Sequence, residues 1–245
     1  MYGKIAPVDN IHVERGGTDG PTLLLLHGLG GSAEVWAGVT PLWPGRWIAP
    51  DLPGHGASAR ADRYSFGGIA AAVAGLVDGP VAVLGHSLGG VVGLALASGW
   101  FGVEVTAVCG LGIKVSWSDT DLAKAAEVAA KPSRVFATRA EAVDRAAKVA
   151  GLPSAAEDTR MVVGDGDGWR LALDPAAFAV GRPDLPGLLA AARCPVRLAA
   201  GENDPMSPAD HLRTLVADPV VLAGLGHSAH AEEPTALRGL LDGLR

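Results

Sequence analysis

Cysteine is nearly missing from this chain: Cys109 and Cys194 are the only two in 245 residues. Two thiols cannot close a tetrahedral metal cage alone, and neither stands near a histidine in sequence, so buried, reduced side chains are expected. Long apolar runs are missing too. No window approaches 18 uncharged apolar residues, which excludes a membrane-spanning helix. The opening Met-Tyr-Gly-Lys-Ile-Ala-Pro-Val-Asp has no long apolar stretch behind a basic start, so no signal peptide is expected there. Runs of Lys or Arg are absent, and the formal charge is −6, which argues against a nucleic-acid partner. Repeats, low-complexity tracts and Pro/Ser linkers are likewise lacking. These absences leave a cytoplasmic protein without membrane partners as the expectation.

What is present suits a folded enzyme-sized domain. Apolar residues make up 49% of the chain and charged residues 19%, enough for a large core. Short apolar runs at Thr22 to Leu26, Trp47 to Pro50, Val81 to Leu84, Val103 to Val108, Val196 to Ala200 and Val220 to Ala223 read as strands covered on both faces. Helical segments separate them: Ser32 to Trp43, Phe66 to Val77, Leu88 to Ser98, Pro208 to Val216 and Thr235 to Leu244. Such alternation predicts an α/β fold with a mostly parallel central sheet flanked by helices. Ile5 to Glu14 alternates loosely and is expected to add an antiparallel edge hairpin. Residues 114–184 break the rhythm. They hold two Ala-rich helical stretches, Thr120 to Ala130 and Arg139 to Val149, then a hairpin across Met161 to Leu173. The sheet pattern resumes afterwards, so the expected organisation is a core of 1–113 and 185–245 with a small cap insertion, 114–184, after the sixth strand.

The chemistry centres on Gly85-His86-Ser87-Leu88-Gly89, between an apolar strand and a helix-like run. Gly-x-Ser-x-Gly alone is weak evidence, since about 0.2 matches arise by chance in a chain this rich in glycine. Its placement is what matters, because a sharp strand-to-helix turn presents the serine hydroxyl above a sheet. A serine hydroxyl is a poor nucleophile without a base in reach, itself oriented by a carboxylate. Two later loops follow strand ends. Gly201-Glu202-Asn203-Asp204-Pro205-Met206-Ser207-Pro208 carries Asp204, with Glu202 and Asp210 as competing acids. Gly226-His227-Ser228-Ala229-His230 carries His227, with His230 as the competing base. His86 should point away from the hydroxyl and pack. His27 and His55 are expected to brace loops, and His12 and His211 to lie on the surface.

With His27-Gly28-Leu29-Gly30-Gly31-Ser32 and Asp51-Leu52-Pro53-Gly54-His55-Gly56-Ala57-Ser58 added, four motifs besides the serine turn stand in order at strand ends. In them the chain resembles a capped α/β-hydrolase of the esterase, lactonase and carbon–carbon hydrolase type, from about Thr22 to the C-terminus and only loosely across the insertion. The resemblance implies Ser87 as nucleophile, His227 as general base and acid, and Asp204 as the orienting carboxylate. It implies an oxyanion hole from the backbone N–H groups of Leu29 and Leu88. It also implies a small-molecule ester or lactone substrate taken through an acyl-enzyme, with no metal and no cofactor. Carbon–carbon hydrolysis of a β-diketone-like substrate, or a ligand-binding receptor, remain as alternatives on the same fold, in a monomer or homodimer. Trp36, Trp117, Phe136 and Trp169, with Val135 and Phe178, either line the substrate pocket or form cap core. No Arg or Lys adjoins the catalytic loops in sequence (Arg46 and Arg60 are nearest), so a strongly anionic substrate is not expected.

Two decoys carry little. Asp165-Gly166-Asp167-Gly168 resembles the start of a calcium loop, but Trp169 and Ala176 occupy ligand positions. The glycine-rich loop after Leu26 has Ala33 at the third glycine position of a dinucleotide loop, so it carries little as one.

Overall fold

The computed structural model describes residues 10–166 and 168–245, and the first half of the expected N-terminal hairpin lies outside them. The strands, in chain order, are β1 (Val13–Gly16), β2 (Thr22–Leu26), β3 (Trp47–Pro50), β4 (Val81–His86), β5 (Val105–Leu111), β6 (Val162–Asp165), β7 (Gly168–Leu171), β8 (Val196–Gly201) and β9 (Val220–Leu222). Seven of them form one sheet in the order β1-β3-β2-β4-β5-β8-β9. Only β1 runs antiparallel, against β3. Among the described residues the insertion follows β5, the fifth strand in chain order.

Alternation along the strands divides the core in two. Leu24, Leu26, Val81, Val83, Val108, Leu198 and Ala200 join the cluster on one face. Leu23, Leu25, Ala82, Leu84, Cys109, Leu111 and Ala199 join the cluster on the other. A period of two with apolar residues at every position is the signature of a sheet buried on both sides. Each fully buried leucine contributes about 1.5–3 kcal/mol by leaving water. Cys109 is buried and free, its thiol pushed up to about 12 by burial.

The helices are α1 (Phe66–Ala74), α2 (Leu88–Ala97), α3 (Asp119–Ala129), α4 (Arg139–Ala150), α5 (Leu185–Ala191), α6 (Ala209–Arg213), α7 (Ala229–Glu232) and α8 (Arg238–Asp242). Every residue of α2 is buried, which explains a run with no polar stripe. The helix expected over Ser32 to Trp43 forms instead as two short 3-10 turns, Ala33–Trp36 and Thr40–Leu42. Gly38 and Pro41 between and within them account for the break. The C-terminal helix divides in the same way, with a 3-10 turn Pro234–Leu237 ahead of α8.

Between β5 and β8 the chain folds over the carboxyl ends of the strands. Ser118 caps helix α3 and Thr138 caps α4, each in a reciprocal capping box, with Asp121 and Glu141. Gly151 ends α4 in the left-handed conformation, φ +70°. β6 and β7 pair as a hairpin. Thr159 and Arg160 return to Glu34 beside the oxyanion loop, and Tyr64 donates to Asp174 at 2.8 Å.

Gly89 shows how tightly α2 sits on the sheet. A Cβ there would fall 2.1 Å from the Leu26 carbonyl oxygen, and one at Gly85 would fall 2.3 Å from the Gly89 carbonyl oxygen. Both contacts are to backbone, so no rotamer change relieves them. Gly89→Ala should destabilise the fold by about 4 kcal/mol or more, read as a collapse in soluble yield or in the urea midpoint. A midpoint close to the parent's would contradict this close approach.

Candidate functional site

The sheet order reverses at β2: β3 lies on one side of it and β4 on the other. In an open parallel sheet, ligands bind at this switch, above the carboxyl ends of the strands. β2 ends in the Gly28–Gly31 loop, and β4 ends at Ser87. Both therefore reach the crevice that topology selects.

Ser87 sits at φ +48°, ψ −111°, a conformation costing a non-glycine residue about 1–3 kcal/mol. Its N–H donates to Leu111 O at 2.8 Å, and its carbonyl accepts from Gly90 N at 3.1 Å. The turn is thus over-determined by neighbours on both sides. Leu88 occupies the first position of α2, where its N–H has no intrahelical acceptor and lies at the positive end of the helix. Gly28 brings the other expected donor close. A Cβ on it would lie 2.7 Å from His86 Nδ1 and 3.4 Å from Ser87 Cβ. The loop holding Leu29 can press against the elbow only because that atom is missing.

The expected base and acid form a bonded pair. His227 Nδ1 donates to Asp204 Oδ2 at 2.9 Å, and a carboxylate accepts only, so Nδ1 carries the proton and Nε2 is left to act. Asp204 Oδ1 accepts from the N–H groups of Met206 (2.8 Å) and Ser207 (3.1 Å), which locks the carboxylate in a buried position. Gly112, at φ +65°, passes beside the pair; a Cβ there would stand 3.3 Å from both Asp204 Oδ2 and His227 Nδ1. Ser87 and His227 line one cavity of about 380 Å³. Among the described residues no hydrogen bond joins their side chains, and such contacts tighten when substrate binds.

The competing residues have other partners. Glu202 accepts from Gly224 N at 2.8 Å and braces a turn. Asp210 pairs with Arg213 on the surface. His230 is buried between Trp36 and His86, with ring centroids 4.7 and 4.4 Å away. Burial, then the neighbouring His227, hold its pKa down at about 3. His86 Nε2 donates to the His227 carbonyl at 2.9 Å, so its ring steadies the loop of the base. Burial, then His230, keep it neutral with a pKa well below the usual imidazole range. His27 donates from Nδ1 to Gly28 O at 2.7 Å and accepts at Nε2 from Leu52 N at 2.8 Å.

The aromatic candidates divide. Trp117 and Phe178 line the cavity with Leu29 and Leu88. Trp36 does not: it is wholly buried in the core beneath, against His230, which corrects its expected place on the pocket wall. The ring buries its large apolar surface there, while its Nε1–H has no acceptor among the described residues. Phe136 and Trp169 also miss this cavity. They exchange backbone bonds of 2.7 and 2.9 Å and pack in the small core of the insertion. Phe136 faces a second cavity of about 270 Å³, while Val135 is exposed.

Several contributors had no strong sequence signal. Glu232 accepts from Gly226 N at 2.7 Å and Ser228 N at 3.2 Å, clamping the chain on both sides of His227. Gly151 puts the end of α4 against the base, since a Cβ there would stand 3.3 Å from His227 Cδ2. Lys114, Lys124 and Lys148 line the cavity too. That overturns the expectation of a site without nearby cations, because they arrive from the insertion rather than from the catalytic loops. Among the described residues no group of His, Cys, Asp and Glu is arranged to hold a metal ion, and none of the helices is long and apolar enough to cross a membrane.

A model of the alpha/beta hydrolase family matches residues 23–239. The chain belongs to that family. It is 40% identical over 102 residues to the magnesium-chelatase 30 kDa subunit of Rhodobacter capsulatus, covering 38% of this chain and 36% of that protein. It is 42% identical over 76 residues to the pimeloyl-[acyl-carrier protein] methyl ester esterase of Neisseria meningitidis, covering 30% and 24%. The chain therefore spans only 24% to 36% of the length of these curated relatives. The solved structure of E-2-(acetamidomethylene)succinate hydrolase superposes with a TM-score of 0.80, covering 96% of this chain and 94% of that one, at 22% identity. At that identity the superposition shows the shared fold alone.

Proposed function

We propose that this member of the family hydrolyses a carboxylic ester or lactone through an acyl-enzyme on Ser87. The observation that carries the reading is the Asp204–His227 pair, bonded at 2.9 Å, opening onto the apolar cavity that the strained Ser87 also lines. His227 Nε2 takes the Ser87 proton as Oγ attacks the carbonyl carbon, and Asp204 stabilises the imidazolium that results. The oxyanion of the tetrahedral intermediate accepts from the N–H groups of Leu29 and Leu88, the second aided by the α2 dipole. Collapse expels the alcohol with the proton from His227. Water then attacks the acyl-enzyme, deprotonated by the same nitrogen, and the acid leaves. Residues 114–184 serve as the cap, with Trp117, Phe178 and Val149 roofing the acyl group. The esterase named among its relatives supports ester chemistry over carbon–carbon cleavage.

A fluorophosphonate probe tests the assignment directly, since it captures only an activated serine. Labelling followed by mass mapping should place the adduct on the peptide holding Ser87, and prior heat denaturation should abolish it. An adduct on another serine, or none, would remove Ser87 as nucleophile.

A further inference from the structure

The cations around the site are out of proportion to the chain. The sequence holds 26 Asp and Glu against 20 Lys and Arg. Yet six of those cations, Lys114, Lys124, Lys131, Arg134, Arg145 and Lys148, line the two cavities, accompanied by one carboxylate, Asp121. Asp121 pairs with Lys114 at 3.0 Å, and Lys131 pairs with Glu127. Among the described residues, the other four have no carboxylate within 4.0 Å.

Helix spacing explains how the cations gather. Lys124, Val128 and Lys131 follow one another at i, i+4 and i+7 along α3 and its end, so they share a face. Arg145, Lys148 and Val149 share a face of α4 in the same way. Lys124 and Lys148 border the cavity of Ser87, whereas Lys131 and Arg145 border the second cavity. Val128, Val149 and Phe178 border both and form an apolar neck between them. The acids of these helices lie mostly elsewhere: Asp119, Glu127, Glu141 and Asp144 line neither cavity.

An apolar wall rimmed by ammonium and guanidinium groups that no carboxylate among the described residues neutralises fits a ligand that is apolar along its length and anionic at its end. We propose that the substrate is such an ester, its acyl chain ending in a carboxylate or phosphate that Lys124 and Lys148 hold at the cap. For longer chains that pass the neck, Arg134 and Arg145 take over. This inference rests on the esterase reading and adds a substrate class to it. Lys124 and Lys148 act as specificity residues and touch no reacting atom.

The test compares three aryl esters of matched chain length, ending in a carboxylate, a phosphonate or a neutral amide. The quantity read is the ratio of anionic to neutral kcat/KM. That ratio should be about tenfold or more in the parent, chiefly through KM. It should shrink towards one in 1 M salt, where screening acts within about 3 Å. In the Lys124→Gln/Lys148→Gln double variant it should also approach one, while Arg46→Gln, outside both cavities, should keep the parent's ratio. Whichever anionic ester shows the larger ratio identifies the terminal group. A ratio near one in the parent, or one untouched by the double variant, overturns the proposal while leaving ester hydrolysis standing. If none of the esters is cleaved, the esterase reading falls and takes this one with it.

Discussion

Ser87→Ala should lower kcat on any ester the parent cleaves by about five to six orders of magnitude, with KM changed far less. The size follows from how a triad works as one unit. Without the oxygen no acyl-enzyme forms, and only cavity binding and the oxyanion donors remain, together worth about 10³–10⁴ over water. Asp204→Asn tests the same unit from the other end and should cost about 10⁴. The buried carboxylate fixes the proton on His227 Nδ1, whereas an amide NH2 in its place favours the wrong tautomer. The comparison also separates catalysis from folding. Ser87 Oγ makes no hydrogen bond among the described residues, so the Ser87→Ala protein should unfold at nearly the parent's midpoint. Asp204 accepts two backbone N–H groups as well, so its variant should lose some stability. Ser87→Ala protein that retains a tenth of the parent's kcat would refute the acyl-enzyme.

The proposed catalytic groups were legible in the sequence because each stands where an apolar run stops and glycines begin. Ser87, Asp204 and His227 follow β4, β8 and β9, and a parallel sheet gathers strand ends on one edge whatever lies between them. The insertion was legible as elements but not as surfaces. Capping boxes at Ser118 and Thr138 and the glycine at 151 mark α3 and α4 well. Which face of each helix turns towards Ser87 depends on how the cap docks, and docking is set by contacts distant in sequence, such as Thr159 with Glu34. Hence Lys124 and Lys148 gave no sign of facing the site. Trp36 misled for a related reason. It follows the oxyanion loop closely in sequence, but the 3-10 turn Ala33–Trp36 carries it under the sheet edge into the core. Glu232 escaped notice because an acid five residues after a histidine reads as a solvated charge. Its role appears only when the loop doubles back to present Gly226 and Ser228 N–H groups.

The protein should lose most of its stability between pH 6.5 and pH 5, and the cause lies beneath the active site. His27, His55, His86 and His230 are all buried. Desolvation is the leading cause in each case, and it holds their pKa values at about 4 for His27 and about 3 for His55 and His230, with His86 also well below 6.5. Well above pH 6.5 neither the folded nor the unfolded chain protonates these rings, so nothing is lost. Below it, the unfolded chain takes up protons that the native state refuses, and stability falls by about 1.4 kcal/mol per pH unit for each histidine. Because the unfolded rings are half protonated at pH 6.5 and nearly fully protonated at pH 5, four of them amount to roughly 6–7 kcal/mol, comparable with the stability of a modestly stable domain. The window lies above the usual carboxylate range, so ordinary acids contribute little to it. Urea midpoints at pH 7.5, 6.0 and 5.0 should drop steeply, with an uptake of about four protons on unfolding. His55→Gln should remove about one of them. Midpoints that stay level to pH 5 would mean these rings are charged or hydrated in the native state. Function depends on the same neutrality. His86 and His230 crowd His227 and His86 respectively, at ring separations of 4.7 and 4.4 Å between each pair. Only while both stay uncharged could the imidazolium of the proposed acyl transfer form on His227 against Asp204 without a like charge beside it.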